Sequence, residues 1–510
     1  MSGVVSVTAP VGGLNARDSL AEMKPTDAVI LDNWFCRPDN VISRKGYTSH
    51  VTGITGDVQT LMDYDSPTGT EALWAVADNG GACSIYDVTT AGSVGAAAVT
   101  GLTSAQYRYV NFSNSGGSYA YYVNGADDPL LYDGSTFTAI NGASSPAITG
   151  VTTANLIDVA VHMRRLWFVE KDTMLGWYLA ADAISGAATS FDFGPLFRLG
   201  GSIQAITSWT VDAGIGMDDH FVVMTTNGEV AIYKGTDVSS STTWALVGVY
   251  HAGRPIGRNC FTEVGGDVAV VTEDGVIPLT KLLISGRVAN AVALTDKIRD
   301  KITTDSASYF SNYGWSATLF PAQSMLIVNV PTSSTTSVQY AMNTISGAWS
   351  RFTGLNARSW HVVNGKIYFS VSGGTIYQFW NGTNDNGSEI TCECLTAFNK
   401  FGRESQSKFI KMARIILGYD SAVALQATVN VDFDQSAPVG SPTFVTVTTA
   451  LWDTAKWDTD VWAGNVTVNR DWRGLSGIGY WASIHFKAIS DVSNIEFYAV
   501  DYLMDKGGVL

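Results

Sequence analysis

Cys392 and Cys394 form a Cys-x-Cys pair. On a strand both side chains point to one face, about 7 Å apart, which does not suit a disulfide. With no second pair, a zinc site is not expected, and the two read as buried free thiols. The six histidines (50, 162, 220, 251, 361 and 485) are scattered singly and read as structural residues. Adjacent carboxylates occur at Asp127-Asp128, Asp218-Asp219 and Glu273-Asp274. Propeller glycosidases use two acids across a cleft, but 46 acids make adjacent pairs expected by chance. Asn384-Asp385-Asn386-Gly387 and Asp432-x-Asp434 offer oxygen ligands without completing a calcium loop. The Gly-x-Ser-x-Gly, Gly-x-x-x-x-Gly-Lys and His-Glu-x-x-His motifs are absent. No catalytic residue, cofactor or metal is expected.

Two other clusters read as contact surfaces. Lys400, Arg403, Lys408, Lys411 and Arg414 stand within fifteen residues against one acid, Glu404. In an acidic chain they suit a solvated face or an inter-subunit charge contact better than a phosphate contact, and Lys408 and Lys411 are expected to face an acidic partner. Trp452, Trp457 and Trp462 interleave with Asp453, Asp458 and Asp460, and Trp472 and Trp481 follow. Such aromatics pack cores, stack on sugars or anchor subunit interfaces.

Composition narrows the class. Charged residues make up 15% of 510, below the roughly 25% of an average globular protein. The chain is 46% hydrophobic, so it is not disordered. A net charge of -15 argues against gripping nucleic acid by phosphate neutralisation. Met1 to Pro10 has neither a basic n-region nor an apolar h-region, so no secretory leader is expected there. The sequons at Asn111, Asn381, Asn386 and Asn465 then read as polar turns. No run of about 18 apolar residues is present, so no membrane insertion is expected.

The elements that must position these residues are mostly strands. Asn-Gly occurs at Asn79, Asn124, Asn141, Asn227, Asn364, Asn381 and Asn386, and Asp-Gly at Asp133 and Asp274. These dipeptides tolerate the positive φ of tight hairpins. Phe221 to Met224 leads into Asn227-Gly228, and Val230 to Tyr233 leaves it. Val268 to Val271 leads into Asp274-Gly275 in the same way. Ile367, Phe369 and Val371 alternate with Lys366, Tyr368 and Ser370, the period of a half-buried strand. Two short helices are predicted. One runs from Thr26 to Phe35, with Ala28, Leu31 and Phe35 on one stripe. The other covers Thr295 to Thr303, with Leu294, Ile298 and Ile302 as its apolar face. A turn followed by an aromatic recurs at Phe137, Trp244 and Trp349, 107 and 105 residues apart. Half that spacing, about 50, is the length of a four-stranded propeller blade. The expected fold is all-β: an N-terminal arm (1–55), a β-propeller of about six or seven blades (56–383) and a C-terminal antiparallel β-sandwich-like domain (384–510).

One set of residues carries a family likeness. Pro10-Val11-Gly12-Gly13-Leu14-Asn15, Leu31-Asp32-Asn33-Trp34 and Arg44-Lys45-Gly46-Tyr47 resemble the opening of tail hub (nozzle or tubular) proteins of short-tailed bacteriophages. Tyr340 to Thr344, Gly347-Ala348-Trp349-Ser350 and Gly374-Thr375-Ile376-Tyr377 are similar to their blade endings. The resemblance implies a non-enzymatic virion protein, assembled in the bacterial cytoplasm as a hexameric ring in the tail. Its partners would be the portal adaptor and tail fibres or spikes. DNA would pass through the ring without specific binding, and an acidic lining would repel its phosphates. Trp34, with the basic and tryptophan clusters, is then expected at partner interfaces. The alternative expectation is a carbohydrate-binding or polysaccharide-degrading propeller of a virion or cell surface.

Overall fold

The computed structural model describes residues 3–67, 69, 71–212, 217–240, 242–284, 293–402, 405–445 and 467–509. Six blades follow one another along the chain. Blade 1 runs from the strand Asp57–Asp65 to Val99–Leu102, blade 2 from Arg108–Asn114 to Phe137–Ala139, and blade 3 from Leu156–His162 to Thr189–Asp192. Blade 4 runs from Ile203–Asp212 to Trp244–His251, and blade 6 from Ser316–Phe320 to Trp349–Phe352. Blade 5 has three strands, Phe261–Val264, Asp267–Thr272 and Gly275–Pro278, with the helix Leu279–Ile284 packed against them. Neighbouring blades touch mainly through their first strands, which therefore line the axis.

The circle is closed by a further radial sheet. Ser359–Val363, Lys366–Val371 and Thr375–Phe379 form three of its strands, and Tyr47–Thr52 from the N-terminal arm pairs antiparallel with the last. Its first strand meets both Ser316–Phe320 of blade 6 and Asp57–Asp65 of blade 1. Radial closure leaves few open strand edges. The hairpins predicted around Asn227-Gly228 and Asp274-Gly275 are both present. Phe137, Trp244 and Trp349 each open the outermost strand of a blade, in blades 2, 4 and 6. The spacing near 105 is therefore two blades, and its half is one.

The C-terminal strands belong to two sheets. Ile390–Thr396, Ala482–Ser490, Val423–Val431 and Thr443–Val445 form one run of strands. Gln406–Tyr419 and Ile495–Val509 are the long strands of the other, and Cys394, Phe486, Ile415 and Tyr502 belong to one hydrophobic cluster with arm and blade residues. The arm has no core of its own. Its strand Gly3–Thr8 pairs with Ile495–Val509, while Gly13–Leu14 and Asp27–Asp32 bridge blade 6 to Ile390–Thr396. Blade 6, arm and C-terminal strands thus form one continuous ten-stranded sheet.

The helix predicted over Thr26 to Phe35 is instead two strands, Asp27–Asp32 and Trp34–Cys36, separated by Asn33 at φ 61°. Ala28, Leu31, Trp34 and Phe35 are all buried, and only Val29 and Ile30 are half-buried. A strand buried on both faces reads as a continuous apolar run, and periodicity alone cannot tell it from a helix. The second helix is present but displaced: a 3-10 turn over Asp296–Ile298 leads into the α-helix Arg299–Tyr309. Ile298 and Ile302 are buried, as the stripe predicts. No helix among the described residues is long and apolar enough to cross a membrane.

Candidate functional site

Two of the arm segments that carry the family likeness, around Asn33 and Arg44, meet at one joint. Asn33 sits in the left-handed region, which Asn tolerates better than most residues. Its side-chain amide donates to Thr353 Oγ1 (3.0 Å) at the end of blade 6 and to Thr391 O (2.9 Å) in the C-terminal strands. Its Oδ1 accepts from Arg44 Nε (2.8 Å) and from the Thr353 amide (2.9 Å). Arg44, 2% exposed, grips Asp385 with both terminal nitrogens, at 2.7 and 2.6 Å, and also donates to Lys45 O and Thr353 O. A bidentate guanidinium–carboxylate pair fixes direction as well as distance. Gly46 lies so close to the loop it holds that a Cβ there would stand 1.8 Å from Asn384 O. At Gly13, φ is 85° and a Cβ would stand 2.5 Å from Trp349 O. Asp32 adds an ion pair to Arg351, and Lys297 another to Asp27 at 2.7 Å.

The expected interface residues divide. Trp34 is fully buried between Phe486 and Phe497, at ring separations of 5.9 and 6.0 Å, so it is core and not contact surface. Lys408 is also buried: it points inward from its strand and donates to Tyr480 O at 2.9 Å, so it is not on the outer surface where a second subunit would meet it. Alternation along Gln406–Tyr419 explains this, because Lys408 and Ile410 share the inner face. Lys411 and Arg414 are on the outer face, but each is paired within the chain, to Asp505 (2.6 Å) and Asp501 (2.6 Å). Arg414 also covers the Trp472 ring at 4.8 Å, and exposed Lys400 lies 5.8 Å from the Trp481 ring. Phe409, Ile478 and Val4 stand exposed on this same sheet, Phe409 directly opposite Ile478. Arg403, Trp452, Trp457 and Trp462 lie outside the described residues.

The other candidates are structural supports. Asp127 accepts from the Thr103 amide and Asn124 Nδ2; burial would raise its pKa, but these bonds bring it below the usual value. Asp128 holds Thr153 and Asn141, and Asp385 is the Arg44 partner. Asp432 accepts from the amides of Tyr480 and Trp481. Cys392 and Cys394 are both buried on one face of their strand, and burial pushes the Cys392 thiol up to about 12. Glu393, between them, faces the other way and accepts from His485 Nε2 at 2.8 Å.

One cavity lies on the propeller axis, where side chains from six radial sheets meet around about 250 Å3. Its lining includes Gln59 of blade 1, Gln106 and Arg108 of blade 2, Gln204 of blade 4, Arg258 and Asn259 ahead of blade 5, Ser316 of blade 6 and Arg358 of the closing sheet. All stand near the starts of first strands, so they gather at one end of the axis. The segment between the helix Arg299–Tyr309 and blade 6 forms one wall. It is tied down by Asn312 Nδ2 to Pro331 O (3.0 Å) and Tyr313 Oη to Gln59 O (2.9 Å). Three arginines line the cavity and no carboxylate does. Arg108 is paired with buried Asp158 (2.9 Å), and Arg358 with Asp57 (2.6 Å). Asp57 stays below the usual carboxylate range because Gly373, Ser372 and Arg358 outweigh its burial. The sequence does hold a trace of this site: Arg108, Asp158, Arg258 and Arg358 fall 50, 100 and 100 residues apart, multiples of the blade period.

No protein family matches the sequence. No curated protein sequence matches it either. Among solved structures, the chain is similar to the computationally designed Ika8 protein, at 10% identity and a TM-score of 0.36, covering 69% of this chain and 96% of that one. It is also similar to BBS1N, crystallised in complex with ARL6DN, at 10% identity and a TM-score of 0.39, covering 67% and 99%. The propeller assignment rests on the blades themselves.

Proposed function

We propose that the chain is a tail hub, or nozzle, subunit of a short-tailed bacteriophage: a non-enzymatic virion protein that forms a hexameric ring below the portal adaptor and borders the DNA ejection path. The observation that carries this reading is the joint around Asn33 and Arg44. The arm residues that resemble the hub family are the ones that weld propeller, arm and C-terminal strands together. A rigid block of this kind suits a ring subunit, because ring closure requires one fixed angle between neighbouring contacts. The face bearing Phe409, Ile478 and Val4 supplies exposed apolar side chains for a second copy, flanked by ion pairs already neutralised within the chain.

The cavity bears on where DNA would run. A space of about 250 Å3 cannot admit a duplex whose major groove alone is about 12 Å wide. DNA would therefore follow the axis of the ring, outside the propeller. Co-expression with the cognate portal adaptor, followed by mass measurement and electron microscopy, tests the reading. Six-membered rings on the adaptor are expected. A chain that stays monomeric with the adaptor present would overturn it.

A further inference from the structure

The axial cavity holds one arginine with no carboxylate in ion-pair contact among the described residues. Arg108 and Arg358 each pair with a carboxylate, but among the described residues Arg258 makes no ion pair, and its hydrogen bond runs from NH1 to Asn124 O, at 2.9 Å. The cavity end of this guanidinium is open to a ligand. Burial pulls Arg258 below the usual arginine range despite the attraction of Asp158 and Asp172, a cost that a bound anion would relieve. Tyr313 reports the same convergence. Its hydroxyl feels the charges of Arg108, Arg258 and Arg358 together, so all three act on one small space.

The amides around that space are placed by a second, independent feature. The first strands of blades 1 and 4 each break register once near their start. In blade 1 the slip lies between Val58 and Thr60, and in blade 4 between Ile203 and Ala205. The extra residues are Gln59 and Gln204, and both line the cavity. A bulge leaves its extra residue unpaired and re-aims its side chain, and bulges gather beside binding sites. Gln59 spends its amide on Asp78 at 3.1 Å, whereas the Gln204 side chain makes no hydrogen bond to the described residues. Asn259 accepts from Arg108 NH1 at 2.5 Å through its oxygen, which leaves its NH2 group for a ligand.

We propose that this cavity is a binding site for a small free oxyanion, held by Arg258 with amide donors from Gln204 and Asn259. A guanidinium fork and neutral amides match the oxygens of a phosphate or a carboxylate, and a partly enclosed cavity strengthens each contact. A chain of net charge -15 that gathers three arginines and no lining acid at one point has concentrated positive potential where an anion fits. This inference stands apart from the hub reading, since it needs neither ring nor DNA.

The test is isothermal titration of the intact protein with inorganic phosphate in one arm and acetate in the other, in a zwitterionic buffer. Saturable binding of at least one anion at a single site is expected, and the stronger arm identifies the headgroup. Arg258→Gln should weaken it at least tenfold, and Gln204→Leu several-fold. Lys366→Gln, an exposed cation on the closing sheet, should leave it unchanged. If Arg258→Gln fails to fold, Gln204→Leu decides the matter alone. No saturable binding of either anion to the wild type would overturn the proposal. So would wild-type affinity in a folded Arg258→Gln protein, or in Gln204→Leu.

Discussion

Replacing Arg44 with Met tests the joint most directly. The substitution keeps the length of the stem and removes five hydrogen bonds: one to Asn33, two to Asp385, one to Lys45 O and one to Thr353 O. It also strands the Asp385 carboxylate, whose side chain is only 10% exposed. Removing one member of a buried ion pair costs about 3–5 kcal/mol, because the remaining charge is left uncompensated. An exposed pair provides the internal control. Arg164 and Asp182 are 78% and 36% exposed, and removing Arg164 should cost less than about 1 kcal/mol. The double variant Arg44→Met/Asp385→Leu should recover about 2 kcal/mol or more of the Arg44→Met loss, since both charges then leave together.

The assay is urea unfolding, with hydrogen exchange to locate the change. Faster exchange is expected at Asn33–Trp34, at Thr391–Glu393 and around Asp385, and blades 2 to 4 should keep their protection. An Arg44→Met protein within about 1 kcal/mol of wild type would refute the reasoning, for the pair would then behave like an exposed one. Faster exchange spread evenly over all blades would refute it as well, because the joint would then not be local.

Trp34→Ala should cost about 3–5 kcal/mol, the loss for a fully buried aromatic, read from the urea midpoint. Gly46→Ala drives a Cβ to 1.8 Å from Asn384 O; a loss of about 1–3 kcal/mol and new protease cleavage near Asp385 are expected. Burial lowers His162 to about 4, while an unfolded histidine titrates near 6.5, so below pH 6.5 the unfolded chain binds the extra proton. Stability should fall by about 3 kcal/mol between pH 6.5 and pH 4 and level off below, and His162→Gln should remove that part of the pH profile. The pair Phe409→Ser/Ile478→Ser should leave the melting temperature nearly unchanged and abolish ring formation with the adaptor; intact rings would remove this face from the assembly.

The propeller was legible because its hairpins are local. Asn227-Gly228 and Asp274-Gly275 sit between apolar runs that pair across only a few residues, so turn chemistry and period agree. Phe137, Trp244 and Trp349 were legible for a related reason: each opens the outer strand of a blade, the same place in a repeated unit. The arm was not legible as strands. Asp27–Asp32 pairs with residues near 350 and 395, and burial on both faces erases the alternation that marks a strand. The basic segment misled at Lys408 for the opposite reason: alternation was present, but a lysine on the inner face is rare enough to be read outward. The cavity was hardest of all. Arg108, Arg258 and Arg358 share no local motif and come together only when the ring closes.

The placement of positive charge also separates two roles that composition alone runs together. An acidic chain was expected to pass DNA without holding it. A row of open arginines along a DNA path would defeat that, since each phosphate contact adds affinity and slows transit. Of the arginines on the axis, Arg108 and Arg358 are closed by Asp158 and Asp57, and only Arg258 is left with charge to offer. One open guanidinium in a space of about 250 Å3 can hold a small anion and cannot track a polymer. On the outer face of the C-terminal sheet, Lys411 and Arg414 are closed by Asp505 and Asp501. Contact there would fall to Phe409, Ile478 and Val4, so subunit association should depend little on salt.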